Sequence, residues 1–248
     1  MKTIKNGQKL LLICLMCIFS GSVSYGQATL IVLILGDKVA TENLYLSIDG
    51  AMNISSLPGM DGSSASVGVN YGLGVHIKLN DKWYLKPEFK PLSRKGGKVI
   101  DPIIPVSDGY VVDKTKLKIN YIDFPVLLQY NVNPKLWVAA GPQFSIVTDA
   151  SQFTFGTGSN GYEAAVKVST TSFFNKTNFS FPVEAGYSLS LGTKKSTTKL
   201  KINVFARYEY GFVQIFKDPS VGSSNISLFQ LGLSLPFIKT EEEIAKTK

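Results

Sequence analysis

Residues 67–79, Val-Gly-Val-Asn-Tyr-Gly-Leu-Gly-Val-His-Ile-Lys-Leu, alternate without a break. Val67, Val69, Tyr71, Leu73, Val75, Ile77 and Leu79 share one face, and Gly68, Asn70, Gly72, Gly74, His76 and Lys78 share the other. A period of two reads as a strand with one apolar and one polar side. A tilted transmembrane strand needs roughly 9 to 11 residues, so this run is long enough to cross a bilayer. The pattern recurs along the chain. Beyond the amino terminus there is no apolar run of roughly 18 residues, which excludes a helical membrane protein.

Eight candidate strands follow, at residues 44–54, 67–79, 83–92, 117–130, 136–147, 178–191, 200–212 and 226–238. Within the fourth, Ile119 and Tyr121 keep an odd register while Ile122, Phe124, Val126, Leu128 and Tyr130 take the even one. That predicts a β-bulge near Tyr121. Short links (80–82, 131–135, 192–199) alternate with mostly long ones (55–66, 93–116, 148–177, 217–225). Outer-membrane barrels have short periplasmic turns and longer external loops. The expected fold is therefore all-β, an eight-stranded antiparallel up-and-down transmembrane β-barrel over residues 43–238. Aromatic residues sort into two groups, as bilayer interfaces require. Trp83, Tyr130 and Phe237 belong to the periplasmic end, and Phe89, Tyr121, Phe144, Phe179, Phe212 and Phe229 to the outer end. Against this, Pro87, Pro125, Pro142, Pro182 and Pro236 fall inside strands, where each removes a ladder donor that bulges or breaks must absorb.

The amino terminus sets the compartment. Lys2, Lys5 and Lys9 precede an apolar run at 10–19 and small or polar residues through Gly26, the layout of a cleaved signal peptide over residues 1–26. Both cysteines, Cys14 and Cys17, lie in that run behind Ile13 and Met16, which does not suit lipid attachment. Cleavage leaves no cysteine for disulfides or metal sites. It also removes three lysines and no acid, taking the charge from +8 to 23 − 18 = +5. That excess suits anionic lipid head groups or polysaccharide ahead of nucleic acid, or simply solvated loops. Residues 27–42 form a short apolar segment in which 30–35 reads equally as helix, strand or plug. Residues 239–248, with Glu241, Glu242 and Glu243, read as a solvated periplasmic tail.

The polar faces carry Asp49, His76, Lys78, Lys86, Glu88, Lys90, Asp123, Glu184, Arg207 and Glu209. A basic residue facing lipid at midplane costs about 2–4 kcal/mol, so this set is expected to point inward. An eight-stranded barrel is just filled by its side chains, and buried charges persist when paired. These residues are therefore expected to form an interior polar lattice, ahead of an ion route or a ligand pocket. His76, the only histidine, cannot build a multi-histidine metal site. It could join Asp49 and a serine in a catalytic triad, but a hydrogen-bonded interior histidine is the expected role. The glycines at 68, 72 and 74 precede no helix and no Lys-Ser/Thr, so they form no phosphate loop; they are expected to make room for bulky neighbours across the lumen. No catalytic residue, cofactor or metal is expected. In the link 148–177, Phe153, Phe155, Tyr162, Phe173 and Phe174 form either a partner-binding surface or the packing of the loop on itself.

The stretch Tyr121-Ile122-Asp123-Phe124-Pro125-Val126-Leu127-Leu128-Gln129-Tyr130, followed by Ala140-Gly141-Pro142, resembles the PorT-like outer-membrane β-barrel proteins of Gram-negative Bacteroidota. Leu85-Lys86-Pro87-Glu88-Phe89 and the glycine-dotted second strand look similar too. The resemblance spans nearly all of the mature chain and implies an integral outer-membrane barrel that tolerates strand prolines. It brings no catalytic residue, and its founding member is associated with protein secretion. Three functional classes follow. The first is a structural or interaction barrel, with outer-membrane lipids and envelope or secretion-assembly proteins as partners and no nucleic acid. The second is a soluble lipocalin-like barrel with its apolar face inward. The third is a narrow pore or rim enzyme.

Overall fold

The computed structural model describes residues 43–106, 109–159, 161–191 and 200–237. The expected signal peptide, the 27–42 segment, the 192–199 turn and the 239–248 tail lie outside the described residues. The strands are β1 (Leu44–Ser56), β2 (Ser66–Lys78), β3 (Trp83–Val99), β4 (Val111–Asn131), β5 (Leu136–Ala140), β6 (Gln143–Thr157), β7 (Glu163–Ser169), β8 (Thr177–Leu191), β9 (Leu200–Gly211) and β10 (Ser227–Phe237). Every pairing is antiparallel. β1 pairs with β10, and the ring runs β1, β2, β3, β4, β5 with β6, β8, β9, β10. The expected eight-stranded closed barrel is borne out. β5 and β6 share one place in the ring, and β7 is an extra strand in the 148–177 link, added to β6 beyond the ring.

Local chemistry explains the connections. In the β2–β3 turn Asn80 Oδ1 accepts from the backbone N–H groups of Lys82 and Trp83, both at 3.0 Å. In the β4–β5 turn Asn133 Oδ1 accepts from those of Lys135 and Leu136, both at 2.8 Å. Each is a side-chain mimic of a backbone turn. β5 and β6 part at Gly141–Pro142, where a Cβ on Gly141 would stand 2.0 Å from the Val126 carbonyl oxygen. Three of the strand prolines gather there on neighbouring strands. Two of their carbonyls accept across strands, Pro142 from Val126 N–H at 2.9 Å and Pro182 from Gly141 N–H at 3.3 Å.

The outer wall is apolar. Val67, Val69, Val183, Leu231 and Leu233 are each at least half exposed or nearly so, with the charged residues of the same strands turned inward. Soluble proteins rarely expose contiguous apolar patches beyond a few hundred Å². This sidedness overturns the lipocalin-like alternative, which needs the grease inside. Around the wall Phe89, Phe124, Phe144 and Phe179 form a belt across four neighbouring strands, with successive ring centroids 5.4, 6.5 and 5.1 Å apart. Trp83 and Tyr130 pair at 4.8 Å near the short turns. Tyr121, expected in the outer belt, is instead buried inside the ring.

The expected bulge in the fourth strand is also corrected. β4 keeps its odd residues inward from Thr115 to Gln129 without a change of phase. What changes is the medium on either side. Leu117, Ile119 and Tyr121 turn into an apolar interior with lysines outside, whereas Ile122, Phe124, Val126 and Leu128 face outward with Asp123 and Gln129 inside. The extra residues belong to the neighbours. The β3–β4 register shifts between Lys90 and Ser93, and Thr148 of β6 falls between the partners of Asn120 and Tyr121.

Candidate functional site

The lumen gathers a dense set of buried ionisable groups, and it is filled at two levels. In the first, β3 supplies Lys86, Glu88 and Lys90, β1 supplies Asp49, β8 supplies Glu184 and β9 supplies Arg207. Arg207 forks onto Glu88, with Nη1 to Oε2 at 3.0 Å and Nη2 to Oε1 at 2.7 Å, and its Nε donates to Glu184 Oε2 at 2.6 Å. Lys86 Nζ lies 2.8 Å from Glu88, 3.1 Å from Glu184 and 3.9 Å from Asp49, while Lys90 Nζ lies 3.0 Å from Glu88. Three bases face three acids, all buried. β3 and β9 stand opposite each other in the ring, so these pairs span the lumen from wall to wall.

Beside this network, Lys95 reaches Glu209 at 2.7 Å and Asp123 at 3.1 Å, again between β3 and β9 or β4. Ser180 Oγ donates to Glu209 at 2.9 Å, and the Lys95 ammonium sits 5.0 Å from the Tyr121 ring centroid. Trp137 and Phe205 pack under Lys86, at 5.3 and 5.7 Å from its Nζ. Above Lys95 the lumen turns apolar. Leu57, Val99, Leu117, Ile119, Ala150, Phe174, Ile215, Phe216, Ile226 and Leu228 close the long-loop end as a buried cluster. Phe174 and Phe216 pack in it with tilted rings, centroids 4.9 Å apart.

Of the ten residues expected in the lattice, nine lie buried in the lumen and eight of them are bound into these two charge clusters. Lys78 is corrected: it ends β2 beside the turn and pairs with Asp81 at 2.9 Å, partly exposed. His76 stacks on Tyr45 with ring centroids 4.3 Å apart, and its Nε2 lies 3.1 Å from Ser47 Oγ. A serine and a histidine in contact satisfy half of a triad. Among the described residues no carboxylate bonds to His76 Nδ1, and Ser47 is 0 % exposed, which leaves a substrate no approach to its hydroxyl. The glycines of β2 act locally and not across the lumen. Cβ atoms at Gly68 and Gly72 would meet the β3 carbonyls of Arg94 and Phe89, and one at Gly74 would meet Ser47 Oγ at 2.6 Å.

The aromatics of the 148–177 link separate. Phe174 is buried in the cap with Phe173 packed against it, Phe153 and Phe155 lie on the outward face of β6, and Tyr162 is exposed at the β6–β7 tip. Lys95 lies in the 93–116 stretch expected to be a link, and it follows Lys90 by an odd number of residues. The bulge after Lys90 resets the parity. Trp137 was masked by the outward alternation of its neighbours Leu136 and Val138. At the short-turn end a polar vestibule of about 260 Å³ is lined by Tyr45, Tyr84, Gln129, Trp137 and Asn203.

Residues 40–217 match the family model described as an outer membrane protein beta-barrel domain. The chain belongs to that family. This outer-membrane barrel accordingly resides in the outer membrane, with its apolar wall against lipid. Among solved structures it is similar to OprG from Pseudomonas aeruginosa, at 12% identity over 80% of this chain and 98% of that one, TM-score 0.42. It is similar to Ail of Yersinia pestis, at 14% identity over 77% and 97%, TM-score 0.40. It is also similar to Neisserial surface protein A, at 13% identity over 78% and 97%, TM-score 0.39. No curated protein matches the chain.

Proposed function

We propose that this protein is a non-conducting, non-catalytic barrel that acts through its outer surfaces, with its short turns in the periplasm and its long-loop end outside the cell. The observation that carries this reading is the double obstruction of the lumen. A wall-to-wall ion network fills the membrane-embedded part, and the apolar cluster around Phe174 and Phe216 closes the end above it. Ions crossing such a lumen would have to break buried pairs, each of which costs several kcal/mol to leave uncompensated. The polar lattice is then a structural device, and partner contacts fall to the exposed sheet built from the outer parts of β3, β4, β6 and β7. The PorT-like motif at residues 121–130 narrows the partner class to envelope proteins of a secretion assembly.

Planar-bilayer recording of the folded protein tests the first part: the expected trace is flat, and a steady single-channel conductance overturns the reading. A pull-down from detergent-solubilised envelopes, comparing the wild type with a chain lacking residues 158–169, tests the second. Partners that depend on the deleted hairpin are the expected result.

A further inference from the structure

At the long-loop end β3, β4, β6 and β7 continue past the aromatic belt as a four-stranded sheet with one side on the apolar cap. Its other side carries Arg94 and Lys98 from β3, Lys114, Lys116 and Lys118 from β4, and Lys167 from β7. Among the described residues, the carboxylates at that face are Asp149 and Glu163, one toward each end of it, and Asp113, exposed in the β4 bulge beside Lys114. Among the described residues, no carboxylate forms an ion pair with any of the six cations.

Three features make this more than a solvated charge run. Lys98 and Lys116 are direct cross-strand partners, a like-charge pairing that destabilises a sheet unless something neutralises it. Phe153 is held between Lys118 and Lys167, whose Nζ atoms lie 4.0 and 5.6 Å from the ring centroid, and Lys114 stands 5.2 Å over Phe155. The rings hold the ammonium groups on a fixed surface. Lys118 is held below the usual lysine range, first by desolvation and then by repulsion from Lys116, Arg94 and Lys167. The free face is thus short of anions.

Position says which anion. The cationic face is a direct upward continuation of the lipid-facing wall. Lys118 lies six residues beyond Phe124 on the same face of β4, roughly 20 Å along the strand, or about 15 Å along the membrane normal at a tilt of ~40°. Arg94 follows Leu92, at the top of the apolar wall of β3. Whatever lipid stands against the barrel there places its head group on these side chains. We propose that this face binds the phosphate-bearing saccharide head group of a glycolipid in the outer leaflet. The inference rests on the orientation proposed above.

The test uses the full-length protein folded in vesicles containing a phosphorylated lipopolysaccharide or the same lipopolysaccharide after enzymatic dephosphorylation, with retention measured through purification. The variants are the triple change Lys98→Gln, Lys116→Gln, Lys118→Gln and its arginine counterpart. Heat-modifiable gel mobility verifies that each is folded. Wild type and the arginine variant are expected to retain the phosphorylated form at least about tenfold better than the dephosphorylated one, and the glutamine variant to lose that preference. Equal retention of the two lipids, a glutamine variant that behaves as wild type, or a folded arginine variant that fails overturns the proposal. So does a soluble polysulfated sugar that binds as tightly as the glycolipid, which would assign the face to a free polyanion. Labelling Ser159→Cys with a membrane-impermeant maleimide on intact cells separates the two readings. Protection sinks the orientation, whereas labelling without phosphate dependence sinks only this inference.

Discussion

The two halves of the barrel interior are built on opposite rules. Where the outside is lipid, the inside is charged, with Arg207, Glu88, Glu184 and Lys86 joined across the lumen. Where the outside is water, the inside is apolar, with Leu117, Ile119, Phe174 and Phe216 filling the cap. β4 passes through both regimes, and its two faces exchange character near Tyr121 while its backbone alternation runs on unchanged. A strand's alternation therefore reports which residues share a face, and the surrounding solvent decides which face is polar.

Breaking the charged half should cost most. Arg207→Met leaves Glu88 and Glu184 short of their shared base in a dry site, and a loss of about 3–5 kcal/mol is expected, read from urea unfolding in lipid vesicles. If Arg207→Met unfolds at wild-type urea, the network is not what holds the lower half. In the apolar half, Phe216→Ala should cost about 3 kcal/mol. Its damage should stay local, with faster proteolysis at the long-loop end while gel mobility still reports a folded ring. The same variant should remain non-conducting, because the ion network below is intact; a channel opened by Phe216→Ala would show the cap to be the only seal. The smallest effect belongs to the outer face. Lys116→Glu, opposite Lys98, turns a like-charge pair into an opposite-charge one and should stabilise the sheet by about 0.2–1 kcal/mol, seen as a small rise in the urea midpoint that fades with salt.

This comparison also explains what the sequence disclosed and what it withheld. The strands of the membrane part were legible because lipid on one side and charge on the other give an unbroken period of two, as in β2, β9 and β10. Most of the lattice followed, since a charge among lipid-facing residues has only one place to go. The upper half obeys the inverted rule, so Leu117, Ile119 and Tyr121 looked like a slip in register. Lys95 and the rest of upper β3 fall in the 93–116 stretch expected to be a link, since the bulge after Lys90 breaks the alternation there. Gly96 is held at φ +144° beside the Leu117 carbonyl, a close approach that a side chain would block. β7, Glu-Ala-Ala-Val-Lys-Val-Ser, has too little contrast between its faces to announce a strand, and only its pairing with β6 defines it.

The struts between β3 and β9 bear on how such a chain enters its bilayer. The hairpins that come first in sequence bring Lys86, Glu88 and Lys90 with them, while Glu184 and Arg207 arrive on β8 and β9. A sheet halted midway would hold naked ions in hydrocarbon. That cost favours inserting the strands and closing the ring together, with the seam between β1 and β10 completing it.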